Sequence, residues 1–309
     1  MNALAPCRVG VDLGGTGSRA VGVVDGRVVA SRDVRSAELG AGTEAERADR
    51  LAQLIREVVP AGAELTAVGI GASGPVDVEA GVIHNGATLP WFTGFPVVAA
   101  LHDRLGVPVG IDNDAVAAAY GELSTISGPA DRFLMVTLGT GVGVAMLVDG
   151  QPVRGAHGAH PEGGHIPITS DPERCYCGLT GCFEQAASRT TLQQRLSEAL
   201  GGAETGPGLI ADAMAIAADD ERVRAVFRDY AVAVGRGLAA LHTLWQPRVT
   251  VIGGSAAICL PLIREDLHRA LARSEDYHVE VELRAAALGD DAGAVGAAMS
   301  IAPSPVRPA

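Results

Sequence analysis

The feature that most constrains this chain is a unit that occurs twice. Cys7-Arg8-Val9-Gly10-Val11-Asp12-Leu13 reads as a buried strand that runs straight into Gly14-Gly15-Thr16. A second strand at 20–24, an Asp25-Gly26 turn and a third strand at 28–30 follow. The pattern restarts at Phe133-Leu134-Met135-Val136-Thr137-Leu138, continues through Gly139-Thr140-Gly141 and an apolar strand, and reaches Asp149-Gly150. Spacing inside the two copies agrees to within one residue. Such a unit cannot bury its apolar faces alone. Two copies therefore predict a duplicated α/β fold, with two similar domains flanking a cleft.

The other elements suit that reading. Residues 45–59 are amphipathic, with Leu51, Leu54, Ile55 and Val58 on one face, which predicts a helix. A buried strand is expected at 65–71, a helix at 95–105 and a strand at 108–111. Helices follow at 190–200 and 222–244, the latter with Val226, Tyr230, Val234 and Leu241 among its apolar positions. A strand at 249–252 closes on Gly253-Gly254-Ser255. Pro303, Pro305 and Pro308 predict a frayed tail over 303–309.

Composition narrows the chemistry. The 24 basic residues are all arginine, and the chain contains no lysine. Schiff-base chemistry, a Walker A loop and the nucleotide lysine of protein kinases are thereby excluded. A phosphate here must be met by backbone N–H groups, arginine or metal. The 36 acidic residues give a net charge of -12, which argues against nucleic acid as a partner. No apolar run approaches the roughly 18 residues of a membrane span. The first residues show neither a basic flank nor a small-residue cleavage site, so a soluble cytoplasmic protein is expected.

Three glycine turns follow buried strands: Gly14-Gly15-Thr16, Gly139-Thr140-Gly141 and Gly253-Gly254-Ser255. One Gly-Gly turn is an ordinary hairpin, but three in this position point to a nucleotide cleft, since glycine lets backbone amides approach phosphate oxygens. Asp12 at the end of its strand could hold Mg²⁺. Asp112-Asn113-Asp114 lies between a strand and a helix at 115–122, where ligands bind in open α/β sheets. Asp114 could serve there as general base. On residues alone, a plain helix cap is the stronger reading for this segment.

The cysteines carry the sharpest signal. Cys175, Cys177 and Cys182 lie within eight residues, and His165 sits ten residues upstream. Three thiolates and an imidazole make a closed tetrahedral zinc site of the structural kind. A disulfide would leave one thiol over and is rare in the cytoplasm. Cys7 and Cys259 sit among apolar residues and are expected to be buried and inert. The zinc loop also carries Glu162, His165 and Glu184, polar groups able to converge on a polyhydroxylated ligand; alternatively, Glu162 is a loop charge and Glu184 a solvated helix-start residue. His157 and His160 read as exposed loop histidines.

Taken together, these motifs resemble the ROK family (repressors, open reading frames and kinases), in particular its bacterial glucokinase-like sugar kinases. The resemblance rests on Asp12-Leu13-Gly14-Gly15-Thr16, Asp112-Asn113-Asp114-Ala115, Leu138-Gly139-Thr140-Gly141-Val142-Gly143, Glu162-Gly163-Gly164-His165, Cys175-Tyr176-Cys177-Gly178-Leu179-Thr180-Gly181-Cys182-Phe183-Glu184 and Val251-Ile252-Gly253-Gly254. It spans about residues 8–301. It implies an actin-like (ribonuclease H-like) fold, with a smaller domain over 1–118, a larger one over 119–309, and a last helix that returns to the first. It implies ATP- and Mg²⁺-dependent phosphorylation of a hexose hydroxyl, glucose to glucose 6-phosphate before all others, with structural Zn²⁺. Asp114 would be the base, while Gly74, Asn113, Asp114, Glu162, His165 and Glu184 would hold the sugar. Asp12, Gly14, Gly15, Thr16, Gly139, Thr140, Gly141, Gly253 and Gly254 would serve ATP, and His165, Cys175, Cys177 and Cys182 the zinc. His165 would bind zinc through one ring nitrogen and sugar through the other. The family also implies a homodimer or homotetramer.

Two positions differ from the family pattern. His160-Pro161 stands where Ala-Gly is usual, and Thr88 stands where asparagine is frequent before Trp91. Both bear on which sugar is preferred, so N-acetylmannosamine, fructose and allose are alternative substrates. A sugar-responsive regulator is a reading of another class. It is disfavoured by the acidic charge and by the roughly eight residues preceding the first strand. A silent sugar-binding protein is disfavoured by the intact Asp114 and glycine turns.

Overall fold

The computed structural model describes residues 4–206, 208–272 and 281–300. The tail expected at 303–309 lies outside them. The chain divides into two compact units. The first comprises Met1–Gly128, Gly150–Pro161 and Asp290–Ala309; the second comprises Pro129–Asp149 and Glu162–Gly289. The expected division after residue 118 would cut a helix, and the chain instead passes to the second unit at Pro129.

The first unit is built on a sheet of order β3-β2-β1-β4-β7. Its strands are β1 (Ala5–Leu13), β2 (Gly17–Val24), β3 (Arg27–Arg35), β4 (Ala63–Ala72) and β7 (Val109–Asn113). A small ribbon, β5 (Val76–Asp77) with β6 (Val82–Ile83), lies beyond β4. Strands β1 to β3 form an antiparallel meander, whereas β1, β4 and β7 run parallel. The β2–β3 turn places Asp25 and Gly26 at φ 50° and 73°, the left-handed pair of a type I′ hairpin. Asp149 and Gly150 repeat it at 51° and 73°.

Strand alternation sorts the residues between the two faces. Cys7, Val9, Val11 and Leu13 of β1, with Val68, Ile70 and Ala72 of β4, face a core closed by α2 (Glu44–Glu57) and α3 (Val97–Leu105). Helix α1 (Ser36–Gly40) precedes α2, which starts with a Thr43/Glu46 capping box. The alternate residues Gly10, Asp12, Gly69 and Gly71 fall on the other face. There α4 (Asp114–Leu123) and α10 (Ala292–Ser300) pack. The approach is backbone to backbone. A Cβ on Gly10 would lie 1.8 Å from the Ala294 carbonyl oxygen, and one on Gly69 1.8 Å from that of Ala297. On α10 itself, a Cβ on Gly296 would lie 1.7 Å from the Ala117 oxygen.

The second unit repeats the scheme with β8 (Arg132–Leu138), β9 (Val142–Val148), β11 (Val249–Gly253) and β12 (Glu282–Ala285), in the order β9-β8-β11-β12. The short β10 (Gln151–Pro152) belongs to the segment grouped with the first unit. Again a hairpin is antiparallel, and the later strands run parallel to its first member. Helices α5 (Phe183–Ala187), α6 (Arg189–Ala199), α7 (Leu209–Ile216), α8 (Glu221–Trp245) and α9 (Leu260–Leu271) complete the unit. Phe183 is fully buried over Gly237 of α8, and the buried Tyr230 donates to the Ala187 carbonyl at 2.9 Å. The strand and helix expectations at 249–252, 190–200 and 222–244 each match an element to within one or two residues. Helices α7 and α9 and strand β12 had no expected counterpart. Among the described residues, no helix is long and apolar enough to cross a membrane.

The helix α10 crossing leaves no space for a methyl group. Gly69→Ala should destabilise the protein by about 1–3 kcal/mol through overpacking, read as a drop in Tm. Gly206→Ala, where nothing lies within 4 Å, should stay within about 0.5 kcal/mol of wild type.

Candidate active site

In the first unit, strand register brings the expected residues to one edge. Leu13 pairs with Ala72, and Ala72 pairs with Asn113, so β1, β4 and β7 end in one row at their carboxyl ends. Open α/β sheets bind ligands at that edge. Gly14-Gly15-Thr16 leaves β1 and is fastened by Ser36. The Ser36 hydroxyl donates to the Gly14 carbonyl, and its N–H donates to Thr16 O at 3.1 Å. Gly15 packs on Thr88, with room for no Cβ (2.5 Å from Thr88 Cγ2). After β4, Ser73 and Gly74 turn back, and Asn85 Nδ2 donates to the Gly74 carbonyl at 2.6 Å. Asn113 is the N-cap of α4, its Oδ1 accepting from Ala115 N–H at 2.8 Å.

Asp114 follows at the first position of the helix. Its Oδ1 also accepts from the Ala115 N–H at 2.8 Å, and its Oδ2 accepts from Ser73 Oγ at 3.2 Å. Burial raises its carboxyl above the ordinary range despite these donors. Asp12, on the same face of the sheet, is pushed up to about 7. Burial is the main cause; the negative charges of Asp114 and Asp290 add to it, and Arg19 pulls the other way. Arg19 is itself shared between Asp33 at 2.6 Å and Asp291 at 2.7 Å. Asp112 points elsewhere and pairs with Arg154, while its Oδ1 accepts from the Asn113 N–H at 2.7 Å.

In the second unit, the Gly139-Thr140-Gly141 turn closes with Gly139 N–H donating to Gly141 O at 2.9 Å. Glu184 lies against it: Oε2 accepts from the Val142 N–H at 2.9 Å, and a Cβ on Gly141 would fall 2.2 Å from that oxygen. Gly254, at φ 80°, sits on the end of β8, where a Cβ would be 2.6 Å from Leu138 backbone atoms. The two glycine turns of this unit are therefore neighbours. Glu162 and Gly163-Gly164-His165 form a short turn after the second-unit boundary. Gly164 is pressed on the Val142 carbonyl, 2.0 Å from where its Cβ would be.

His165 leads into the cysteine knuckle. The donor atoms of His165, Cys175, Cys177 and Cys182 all lie within 4.8 Å of one another. Cys177 Sγ is 3.6 Å from Cys182 Sγ, and Cys175 Sγ is 3.6 Å from His165 Nδ1. Zinc–sulfur bonds of about 2.3 Å at the corners of a tetrahedron put sulfurs ~3.8 Å apart, so this donor set fits a closed four-ligand zinc site. All five cysteines are free of disulfides, with Cys7 and Cys259 buried as expected. The other imidazole nitrogen, Nε2, meets Tyr176 Oη at 3.2 Å, and the two rings stand edge to face at 5.1 Å.

Comparison with known proteins agrees with this geometry. The sequence profile of the ROK family matches residues 8–303. The chain belongs to the ROK family. It is 33% identical to the glucokinase of Streptomyces coelicolor, with 96% of this chain and 98% of that protein aligned. Among solved structures, it resembles a ROK glucokinase from Streptomyces griseus in complex with glucose and AMPPNP, with TM-score 0.81, 30% identity and coverage of 95% and 98%. It equally resembles the ROK hexokinase of Thermus thermophilus, with TM-score 0.81, 31% identity and coverage of 95% and 97%. The α/β architecture is the actin-like ATPase fold of those ROK structures.

In this ROK chain, several supporting side chains escaped the sequence reading. Ser36 and Asn85 fasten the Gly14 and Gly74 turns, Ser73 donates to Asp114, and Arg189 reaches two turns at once. Each acts on a partner 11 or more residues away, so no local motif announces it. Ser73 was visible only as a neighbour of Gly74.

The raised Asp12 carboxyl has a stability consequence. The native state holds its proton more tightly than the unfolded chain does, so the stabilisation is full below the ordinary carboxylate pKa and is lost as pH rises through about 7. In metal-free, nucleotide-free protein, Asp12→Asn should melt a few degrees above wild type at pH 8. The gap should close by about pH 4. Thermal melts across that range test this.

Proposed function

We propose that this chain catalyses the ATP-dependent phosphorylation of glucose to glucose 6-phosphate, with Asp114 as general base. The observation that carries the reading is Asp114 itself. It is a half-buried carboxylate with a raised pKa, at the carboxyl edge of parallel strands, in a chain aligned nearly end to end with glucokinases. A base works best with a pKa near the operating pH. Ser73 and the Ala115 N–H fix the carboxylate, which takes the proton of the sugar hydroxyl as that oxygen attacks the terminal phosphate. Asn113 spends its carbonyl on the helix cap, leaving amide N–H groups to donate to the sugar. Gly74, Glu162, His165 and Glu184 complete the sugar contacts in this reading.

Asp12, Gly14, Gly15, Thr16, Gly139, Thr140, Gly141, Gly253 and Gly254 serve the nucleotide. Phosphoryl transfer is mostly positioning and charge neutralisation, which amides and a cation can supply. Asp12 fits Mg²⁺ as a hard oxygen donor whose desolvated charge a cation would relieve. When bound, the ion would neutralise phosphate charge. His165, Cys175, Cys177 and Cys182 hold zinc, whose work is to shape the loop that presents His165 and Glu184. Unbridged thiols suit a reducing, cytoplasmic setting.

With Mg-ATP, purified protein should phosphorylate glucose faster than N-acetylmannosamine, fructose or allose. No ADP release above background with any of them would sink the kinase reading. Asp114→Asn should lower kcat by roughly a thousandfold or more, within the usual scale of general-base loss and misorientation, while glucose still binds by calorimetry. Elemental analysis should find one zinc per chain, and Cys177→Ala should remove it and raise the KM for sugar. A fully active, zinc-free preparation would refute the structural-zinc reading.

A further inference from the structure

In the second unit, one side chain reaches both glycine turns. Arg189 is the first residue of α6, directly after its Ser188 cap. Its Nη2 donates to Thr140 Oγ1 at 3.0 Å, and its Nη1 donates to Ser255 Oγ at 3.1 Å. Its backbone N–H donates to the Gly139 carbonyl at 2.8 Å, and the next residue, Thr190, donates from Oγ1 to the Thr140 carbonyl at 3.1 Å. The first glycine turn is thus held from two sides, and the guanidinium ties it to the second.

Several arginines of the molecule are ion-paired, and Arg189 is not. Arg19, Arg104, Arg154, Arg222 and Arg248 each meet a carboxylate within 3 Å. Arg189 meets two neutral hydroxyls instead, and among the described residues no carboxylate lies within ion-pair distance of it. Its Nε is buried without a hydrogen-bond partner. A hydroxyl that accepts from a guanidinium keeps its own proton free to donate elsewhere, and donation to it strengthens that outgoing bond. Thr140 and Ser255 are therefore turned into paired O–H donors beside glycine amides, with an uncompensated positive charge behind them. In a chain without lysine, this is the chemistry that receives a polyphosphate.

We propose that Arg189 is the nucleotide-positioning residue: it clamps the Gly139–Gly141 and Gly253–Ser255 turns and directs the Thr140 and Ser255 hydroxyls, under its positive charge, at the phosphates of ATP. This rests on the kinase reading for the identity of the anion, and the guanidinium contacts stand independently of it.

The test compares wild type, Arg189→Ala and Arg189→Lys. Calorimetry with Mg-AMPPNP measures nucleotide binding directly. Steady-state kinetics separate the KM for ATP from the KM for glucose. Arg189→Ala should weaken Mg-AMPPNP binding and raise the KM for ATP roughly tenfold or more, with the KM for glucose within about twofold of wild type. Arg189→Lys keeps the charge but cannot span both hydroxyls, so it should recover only part of the loss. Thermal melts confirm that each variant is folded. Mg-AMPPNP affinity within twofold of wild type in Arg189→Ala would overturn the proposal. So would equal rises in both KM values, which would mark a general structural role. If wild type binds Mg-AMPPNP but phosphorylates no hexose, the kinase reading fails, and the weakened binding of Arg189→Ala still supports the clamp.

Discussion

Backbone touches backbone where α10 crosses the first sheet, and the site-bearing edge depends on that contact. Gly10 and Gly69 offer no side chain to hold the helix away, and Gly121 and Gly296 do the same between α4 and α10. The consequence is electrostatic as well as steric. Gly293 of α10 sits so close to Asp12 that a Cβ there would lie 2.8 Å from Oδ2. The helix that closes the sheet therefore also removes water from the Asp12 carboxylate. Desolvation is the main cause of its raised pKa, and the same cause dominates at Asp114.

Two desolvated carboxylates on one face make a site that is unstable by design and useful for that reason. Neither is neutralised by a lysine, because the chain has none. Arg19, the cation acting on Asp12, is already divided between Asp33 and Asp291. The first unit thus gathers acidic groups at this edge. The second unit is organised the opposite way, with glycine amides, hydroxyls and an arginine presented together.

Much of this could be read in the sequence because it is local. The strand alternation of β1, the paired Asp-Gly turns, the three glycine turns and the Cys175–Cys182 spacing are all patterns within about ten residues. The role of Asn113 as a cap was likewise open to inspection. What escaped was long-range or featureless. Helix α10 is built of alanine and glycine with little amphipathic character, so periodicity could not find it. The return of residues 150–161 to the first unit leaves no mark in composition. Ser36, Asn85 and Arg189 matter through partners 11 to 66 residues away in the chain.

The register of the two hairpins carries one more consequence. Leu13 pairs with Ser18 at the end of the first hairpin, and Leu138 pairs with Val142 at the end of the second, so the residue preceding each leucine occupies an equivalent place. That residue is Asp12 in one copy and Thr137 in the other. The duplicated scaffold is symmetric in its strands but not in its charge. At that place one half offers an acid and the other a neutral hydroxyl. A ligand that needs an anionic oxygen at that place is served by the first copy alone.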